Sequence, residues 1–189
     1  MRTRNTLSLC LSVVFALLVA GCAIKSPPYQ ASITNVEALR KAELQPLNVG
    51  SFTSQSGATG ATSIGLRGAQ MESSVGAGFA DYLAVALQQE LELARLLKAQ
   101  ASTEVRGILL KNDISAGGIN TNSGEIEARF MVNRDKKARY DRVKRAEMEW
   151  ESSFAGAVAV PRAQQQYPLM VQKLLGELFA DPAFIEACK

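Results

Sequence analysis

A two-residue alternation near the middle of the 189-residue chain constrains the fold more than any other feature. Ile126, Ala128, Phe130 and Val132 alternate with Glu125, Glu127, Arg129 and Met131, so a strand here turns an apolar face inward and a polar face to solvent. Asn133-Arg134-Asp135-Lys136-Lys137 interrupts the pattern with turn-forming residues. Alternation then resumes from about Arg139 through Ala146, Met148 and Trp150, with Glu147, Glu149 and Glu151 opposite. The two runs predict an antiparallel hairpin. Val143 falls on the wrong parity, which predicts a bulge between Arg142 and Arg145. Glu125 and Glu127 face Arg142, Lys144 and Arg145 across the hairpin. Such cross-strand pairs contribute about 0.2–1 kcal/mol each, so the charges read as a solvated sheet face ahead of a ligand site.

A sheet with one apolar face needs a cover, and the sequence supplies helices for it. Phe79, Leu83, Leu87, Leu91 and Leu97 form a stripe at helical spacing, with Ser73 or Ser74 as the N-cap and Gln88, Gln89, Glu90 and Glu92 mainly on other faces. After Tyr167-Pro168, with the proline in the first turn, Met170, Val171, Leu174, Leu175, Leu178 and Phe179 form a second stripe. Asp181-Pro182 then reads as cap and first position of a short terminal helix carrying Phe184 and Ile185. Further strands are expected at residues 46–53 and from Thr103 to Ile114, and Phe154 to Val160 either prolongs the hairpin or adds an edge before Pro161. The expected class is α+β, an antiparallel sheet with two amphipathic helices packed on one face. Residues 46–189 are read as its single domain.

Two stretches look unstructured. Residues 54–70 are small and polar, with Gly57, Gly60, Gly65 and Gly68, and predict a long flexible loop that serves as a ligand lid or is an empty insertion. Residues 22–45 carry Ser26-Pro27-Pro28-Tyr29 without a sustained apolar period and predict a tether.

The first 21 residues have the layout of a secretory signal: Arg2 and Arg4, an apolar run from Leu7 to Ala20, and Gly21 as a small exit residue. The run is too short to span a bilayer comfortably. Its end, Leu18-Val19-Ala20-Gly21-Cys22, resembles the lipobox of bacterial lipoproteins. That resemblance implies cleavage before Cys22, diacylation of its sulfur and acylation of the new amine. Each buried methylene contributes about 0.8 kcal/mol, and two or more long chains hold a protein stably on a membrane. Ala23 stands where enterobacterial lipoproteins kept at the inner membrane carry aspartate, so the resemblance implies sorting to the outer membrane, facing the periplasm.

Composition removes several classes of function. Without Arg2 and Arg4, the 21 basic residues fall to 19 against 18 acidic ones. A nearly neutral chain offers no concentrated basic surface, so nucleic acid is not an expected partner. Cys10 leaves with the signal and Cys22 is acylated, so Cys188 cannot form an intramolecular disulfide. On a frayed terminus it is either an unused small residue or a site for an intermolecular bridge. The absence of histidine excludes Ser-His-Asp and Cys-His catalysis in their usual forms and histidine-ligated zinc. Gly76-Ala77-Gly78 lacks the rest of a phosphate-binding fingerprint, and no serine lies in a GxSxG elbow. No catalytic residue, cofactor or metal is assigned, and Cys22, as the lipidation site, is the one site residue.

The hairpin Ile126 to Trp150, the stretch Phe154-Ala155-Gly156-Ala157, the helix Tyr167 to Phe179 and the ending Asp181-Pro182-Ala183-Phe184-Ile185 resemble small outer-membrane lipoproteins of the YajG-like kind. More distantly, they resemble the auxiliary lipoproteins of ABC-type lipid transport systems. The resemblance covers residues 45–187 at the level of pattern, with the helix Phe79 to Leu97 where such proteins place their first helix. It implies a periplasm-facing α+β lipoprotein without known catalysis, and it carries over no site residues. The expected function is that of a lipid-anchored, non-enzymatic accessory or binding protein in envelope maintenance or transport-complex support, with the membrane and envelope proteins as partners. The alternatives are a structural subunit of an oligomeric envelope assembly, here a homo-oligomer, and, less favoured, an envelope glycan-processing enzyme built on dispersed carboxylates.

Overall fold

The computed structural model describes residues 23–189. In chain order the elements are β1 (Ala23–Lys25), α1 (Ile33–Lys41), β2 (Leu47–Ser54), β3 (Ser63–Leu66), β4 (Ala69–Glu72), α2 (Phe79–Leu93), β5 (Thr103–Ser115), β6 (Thr121–Arg134), β7 (Lys137–Glu151), α3 (Gly156–Phe179) and α4 (Pro182–Cys188). Four strands form the main sheet in the order β2-β5-β6-β7, and β1-β4-β3 form a smaller one. Strands β5, β6 and β7 make an antiparallel meander, whereas β2 joins β5, and β1 joins β4, in parallel.

The alternation fixes which way the main sheet faces. Ile126, Ala128, Phe130 and Val132 of β6 and Val105 and Leu109 of β5 are all fully buried. They meet Phe79, Leu83, Leu87 and Leu91 of α2 and Tyr167, Met170, Leu174 and Leu178 of α3, so both amphipathic helices pack on one face of the sheet, an α+β fold. Gly107 makes room for Phe52, whose ring would overlap any Cβ placed there and which meets Phe130 edge-on at 6.3 Å between centroids. The hairpin turns through Asp135 and Lys136, both left-handed with φ of 52° and 63°, as a two-residue turn matched to strand twist requires.

No bulge forms at Arg142–Arg145. Pairing runs unbroken from Val132↔Tyr140 to Thr121↔Glu151, and the register shift lies beside the turn, between Val132 and Asn133. Val143 simply points outward, which leaves Arg142 and Lys144 on the inner side of the strand, where Asp181 receives them.

The expected tether is folded from Ala23 onward. Ser32 caps α1 by accepting from the Asn35 amide, Val36 and Leu39 are buried, and Tyr29 meets Tyr82 edge-on at 6.2 Å. Residues 54–70 are likewise not a long flexible loop. The Asn112 amide donates to Thr59 O at 3.0 Å and its side chain to Gly60 O at 3.0 Å, and residues 63–72 form the β3–β4 hairpin, with Ile64, Leu66 and Met71 buried.

Phe154 to Val160 is no strand, because α3 begins at Gly156 and continues through Pro161 and Pro168. An interior proline costs about 3 kcal/mol. Both prolines lie off the buried stripe, and the nine buried residues of that stripe outweigh them. Helix α2 starts at Gly78 rather than at a serine cap, with Asp81 accepting from the Ala77 amide at 2.6 Å. Asp181 caps α4 through the Ala183 amide, as expected. Cys188 is fully buried rather than frayed, and burial pushes its thiol up to about 12.

Candidate functional site

Cys22 lies outside the described residues. Ala23 opens β1 and is paired with Gln70 of β4. Since β1 and β4 run parallel, the chain enters the fold beside the tip of the β3–β4 hairpin. At that tip Arg67, left-handed at φ 49°, sends its guanidinium to three carbonyls of other segments: Ala116 at 2.6 Å, Gly118 at 2.6 Å and Phe154 at 3.0 Å. Three charge-assisted donors on backbone oxygens join the β3–β4 turn, the β5–β6 connection and the start of α3 into one end of the molecule.

The face of the main sheet opposite the helices carries a lattice of charge. Glu125 accepts from Lys111 at 2.6 Å and from Arg145 at 2.8 Å, Arg145 also pairs with Glu147, and Arg129 grips Asp141 through two bonds of 2.5 and 2.6 Å. The hydrogen bond from Lys111 lowers the pKa of Glu125, and that from Arg129 lowers the pKa of Asp141. These side chains are largely solvated, so each pair adds little to stability. Glu125 and Arg145 thus lie on the solvated face that the sequence predicts, while Arg142 and Lys144 do not. A depression of about 240 Å³ on this face is lined by Ser51, Thr53, Arg106, Ile108, Met131 and Asp141 among others.

Two carboxylates are buried instead. Glu90, fully buried on α2, accepts at Oε1 from Tyr29 Oη at 2.6 Å, from the Ser32 amide at 2.9 Å and from Asn35 Nδ2 at 3.2 Å, while Oε2 has no protein donor. Burial and then the bond to Glu90 raise the pKa of Tyr29, which keeps the phenol protonated as the donor. Asp181, 6% exposed, accepts from Lys144 at 2.6 Å, the Ala183 amide at 2.9 Å, Tyr140 Oη at 3.0 Å and Arg142 at 3.3 Å. Burial alone would raise its pKa, but the bonds from Lys144, Ala183 and Tyr140 prevail and hold the carboxyl well below the usual range.

Neither acid resembles half of a catalytic pair, because the oxygens that are bonded point at donors of their own fold and fasten chain segments. Among the described residues no three His, Cys, Asp or Glu side chains gather as metal ligands, and no helix is long and apolar enough to cross a membrane. The sequence assigns Asp181 its capping role but not its cations, and it places Glu90 on a polar face. Its burial follows from α1, a helix within the stretch expected to be a tether.

No protein-family model and no curated protein matches the chain. Solved structures do. Protein XCC0632 of Xanthomonas campestris, of the family DUF330, superposes with a TM-score of 0.50 at 12% identity over 83% of this chain and 94% of its own. The two share a fold. The hypothetical protein CT253 of Chlamydia trachomatis has a TM-score of 0.48 at 12% identity, covering 75% of this chain and 98% of its own. A Caulobacter crescentus protein assigned as a lipoprotein has 0.45 at 11% identity, covering 82% and 96%.

Proposed function

We propose that this chain is a lipid-anchored, non-enzymatic accessory or binding lipoprotein of the bacterial envelope, held on the outer membrane through acylated Cys22 and facing the periplasm. The observation that carries the reading is the lipobox Leu18-Val19-Ala20-Gly21-Cys22, and the residue that follows it, Ala23, is paired with Gln70 in the folded body. An anchor there leaves almost no slack, and the domain rests against the lipid surface. The buried carboxylates act as fasteners, which supports binding or scaffolding ahead of catalysis, and the open sheet face offers a charged surface to an envelope partner.

The test is the intact mass of protein extracted from membranes, with a Cys22→Ala variant fractionated in parallel. Loss of residues 1–21, an added acyl mass and release of the variant support the reading; an unmodified N-terminus, or a variant that stays in the membrane, removes it. A second reading, a subunit of a homo-oligomeric envelope assembly, draws on β7, a 15-residue strand at the sheet edge. Sedimentation of the detergent-solubilised protein over a range of concentrations tests it, and a concentration-independent monomer counts against it. The burial of Cys188 argues against a disulfide as the link.

A further inference from the structure

Large apolar side chains that a fold leaves in water are informative when they gather, and three of them gather at the end where the chain enters. Phe154 is 82% exposed, Ile119 60% and Val158 41%. Phe154 and Ile119 meet through Arg67, which holds the carbonyls of Phe154 and Gly118, and through the Ser152 amide, which donates to Asn120 O at 2.7 Å. Val158 stands one helical turn after Phe154, at the start of α3. Phe154, immediately before the N-cap of α3, is placed to pack back onto that helix as a hydrophobic staple, yet its exposure shows that it does not.

These residues lie on the side of the molecule where Ala23 begins β1. Ala23 stands level with Gln70, three residues from Arg67, and β1 read backward heads for the hairpin tip. Gln164 of α3 donates to Lys25 O at 2.9 Å, which brings the first turns of that helix against the entry strand. Arg67 and Arg162, whose bonds go to backbone carbonyls, supply positive charge around the patch, whereas Lys25 is paired with Glu72 at 2.9 Å.

We propose that Ile119, Phe154 and Val158 form a membrane-contacting foot that inserts into the interface of the bilayer carrying the anchor, with the surrounding cations at headgroup level. The proposal rests on acylation of Cys22. An aromatic and two branched side chains, fixed by backbone bonds next to an acyl anchor with no tether, meet the lipid boundary whenever the anchor is seated. The foot sets an orientation: the meander stands away from the membrane, its turn at Asp135-Lys136 outermost, about 40 Å from the foot along β5.

The acylated full chain is reconstituted in vesicles of phosphatidylethanolamine and phosphatidylglycerol whose acyl chains are brominated close to the headgroup. Tryptophan is introduced either in the foot, Phe154→Trp, or at an exposed leucine towards the far end, Leu93→Trp, and emission is compared with that of the unsubstituted protein, which has Trp150 alone. Bromolipid should at least halve the added emission of Phe154→Trp and leave that of Leu93→Trp unchanged. Adding Ile119→Ser and Val158→Ser to the first variant, both at solvent-exposed positions, should weaken the quenching. If neither tryptophan is quenched while the protein still sediments with vesicles, the anchor stands and the foot is wrong; equal quenching of both likewise overturns the foot. Protein that remains in the supernatant removes anchor and foot together.

Discussion

Each terminal segment of this chain is held by one buried carboxylate, and the two fastenings use opposite electrostatics. At the N-terminal side Glu90 gathers uncharged donors, a phenol, an amide side chain and a backbone N–H, and so holds Tyr29 to Asn35 against α2. At the C-terminal side Asp181 gathers Lys144 and Arg142 besides Tyr140 and its own helix amide, and so holds α4 against β7. Burial disfavours a charge in both places, but only Asp181 has cations beside it. An acid bound by neutral donors can be replaced by an amide of the same shape, whereas an acid bound by cations leaves them stranded when its charge is removed.

The largest effect expected from this contrast is that of Asp181→Asn. It leaves Lys144 without its counter-charge and should cost about 3 kcal/mol in urea unfolding. A loss below about 1 kcal/mol would show that Lys144 swings to water and that the C-terminal fastening is no stronger than a surface pair. The same interaction should govern acid sensitivity. The folded-state pKa of Asp181 lies well below its unfolded value, so the stability it adds is complete above about pH 4 and is lost as the pH falls below that. Unfolding midpoints between pH 5 and pH 2 should therefore drop steeply in the wild type and less steeply in Asp181→Asn.

Glu90→Gln should change stability by about 1 kcal/mol or less, since the amide oxygen takes over the Oε1 bonds and the NH₂ group occupies the site of the unpartnered Oε2. A cost equal to that of Asp181→Asn would erase the distinction between the two ends. At alkaline pH the Tyr29 phenol supplies the corresponding signal. Its raised pKa means that the unfolded chain releases the proton first, so stability falls once the pH passes about 10, and Tyr29→Phe should flatten that fall. Smallest is Ser32→Ala, which removes the α1 cap and should cost about 0.5–1 kcal/mol, read from the same urea curves.

How far the sequence revealed these features depended on whether a residue's neighbours were near in the chain. The hairpin, the stripe of α2 as far as Leu91, that of α3 and the Asp181 cap are local patterns, and the structure contains them, while Leu97 lies beyond the end of α2 at Leu93, exposed and bridged to Leu47. Helix α1 was hidden because nine residues with only Val36 and Leu39 buried among the apolar ones make no sustained period, and its packing partners are far along the chain. The first three turns of α3 were hidden by Pro161 and Pro168, whose local cost is real but smaller than the gain from burying the stripe they interrupt. Among the glycines of residues 54–70, a hairpin depended on Asn112 to hold the preceding segment and on Arg67 to hold its tip. Arg142 and Lys144 looked like solvated charges because nothing nearby in sequence marks Asp181 as their partner. Cys22, the one site residue the sequence names, precedes the described residues, and its proposed acylation rests on the lipobox alone.

The parallel pairing of β2 with β5 sets an order of assembly. The meander can close through two connections of six residues or fewer, but β2 must wait for a partner that begins at Thr103, about fifty residues after β2 ends. A chain threaded outward N-terminus first would present β2 well before anything exists for that strand to pair with. Its early residues would therefore remain open to chaperones. Pulsed hydrogen exchange during refolding should find the amides of β6 protected before those of β2; simultaneous protection would mean that the crossover through α2 is formed in the folding nucleus.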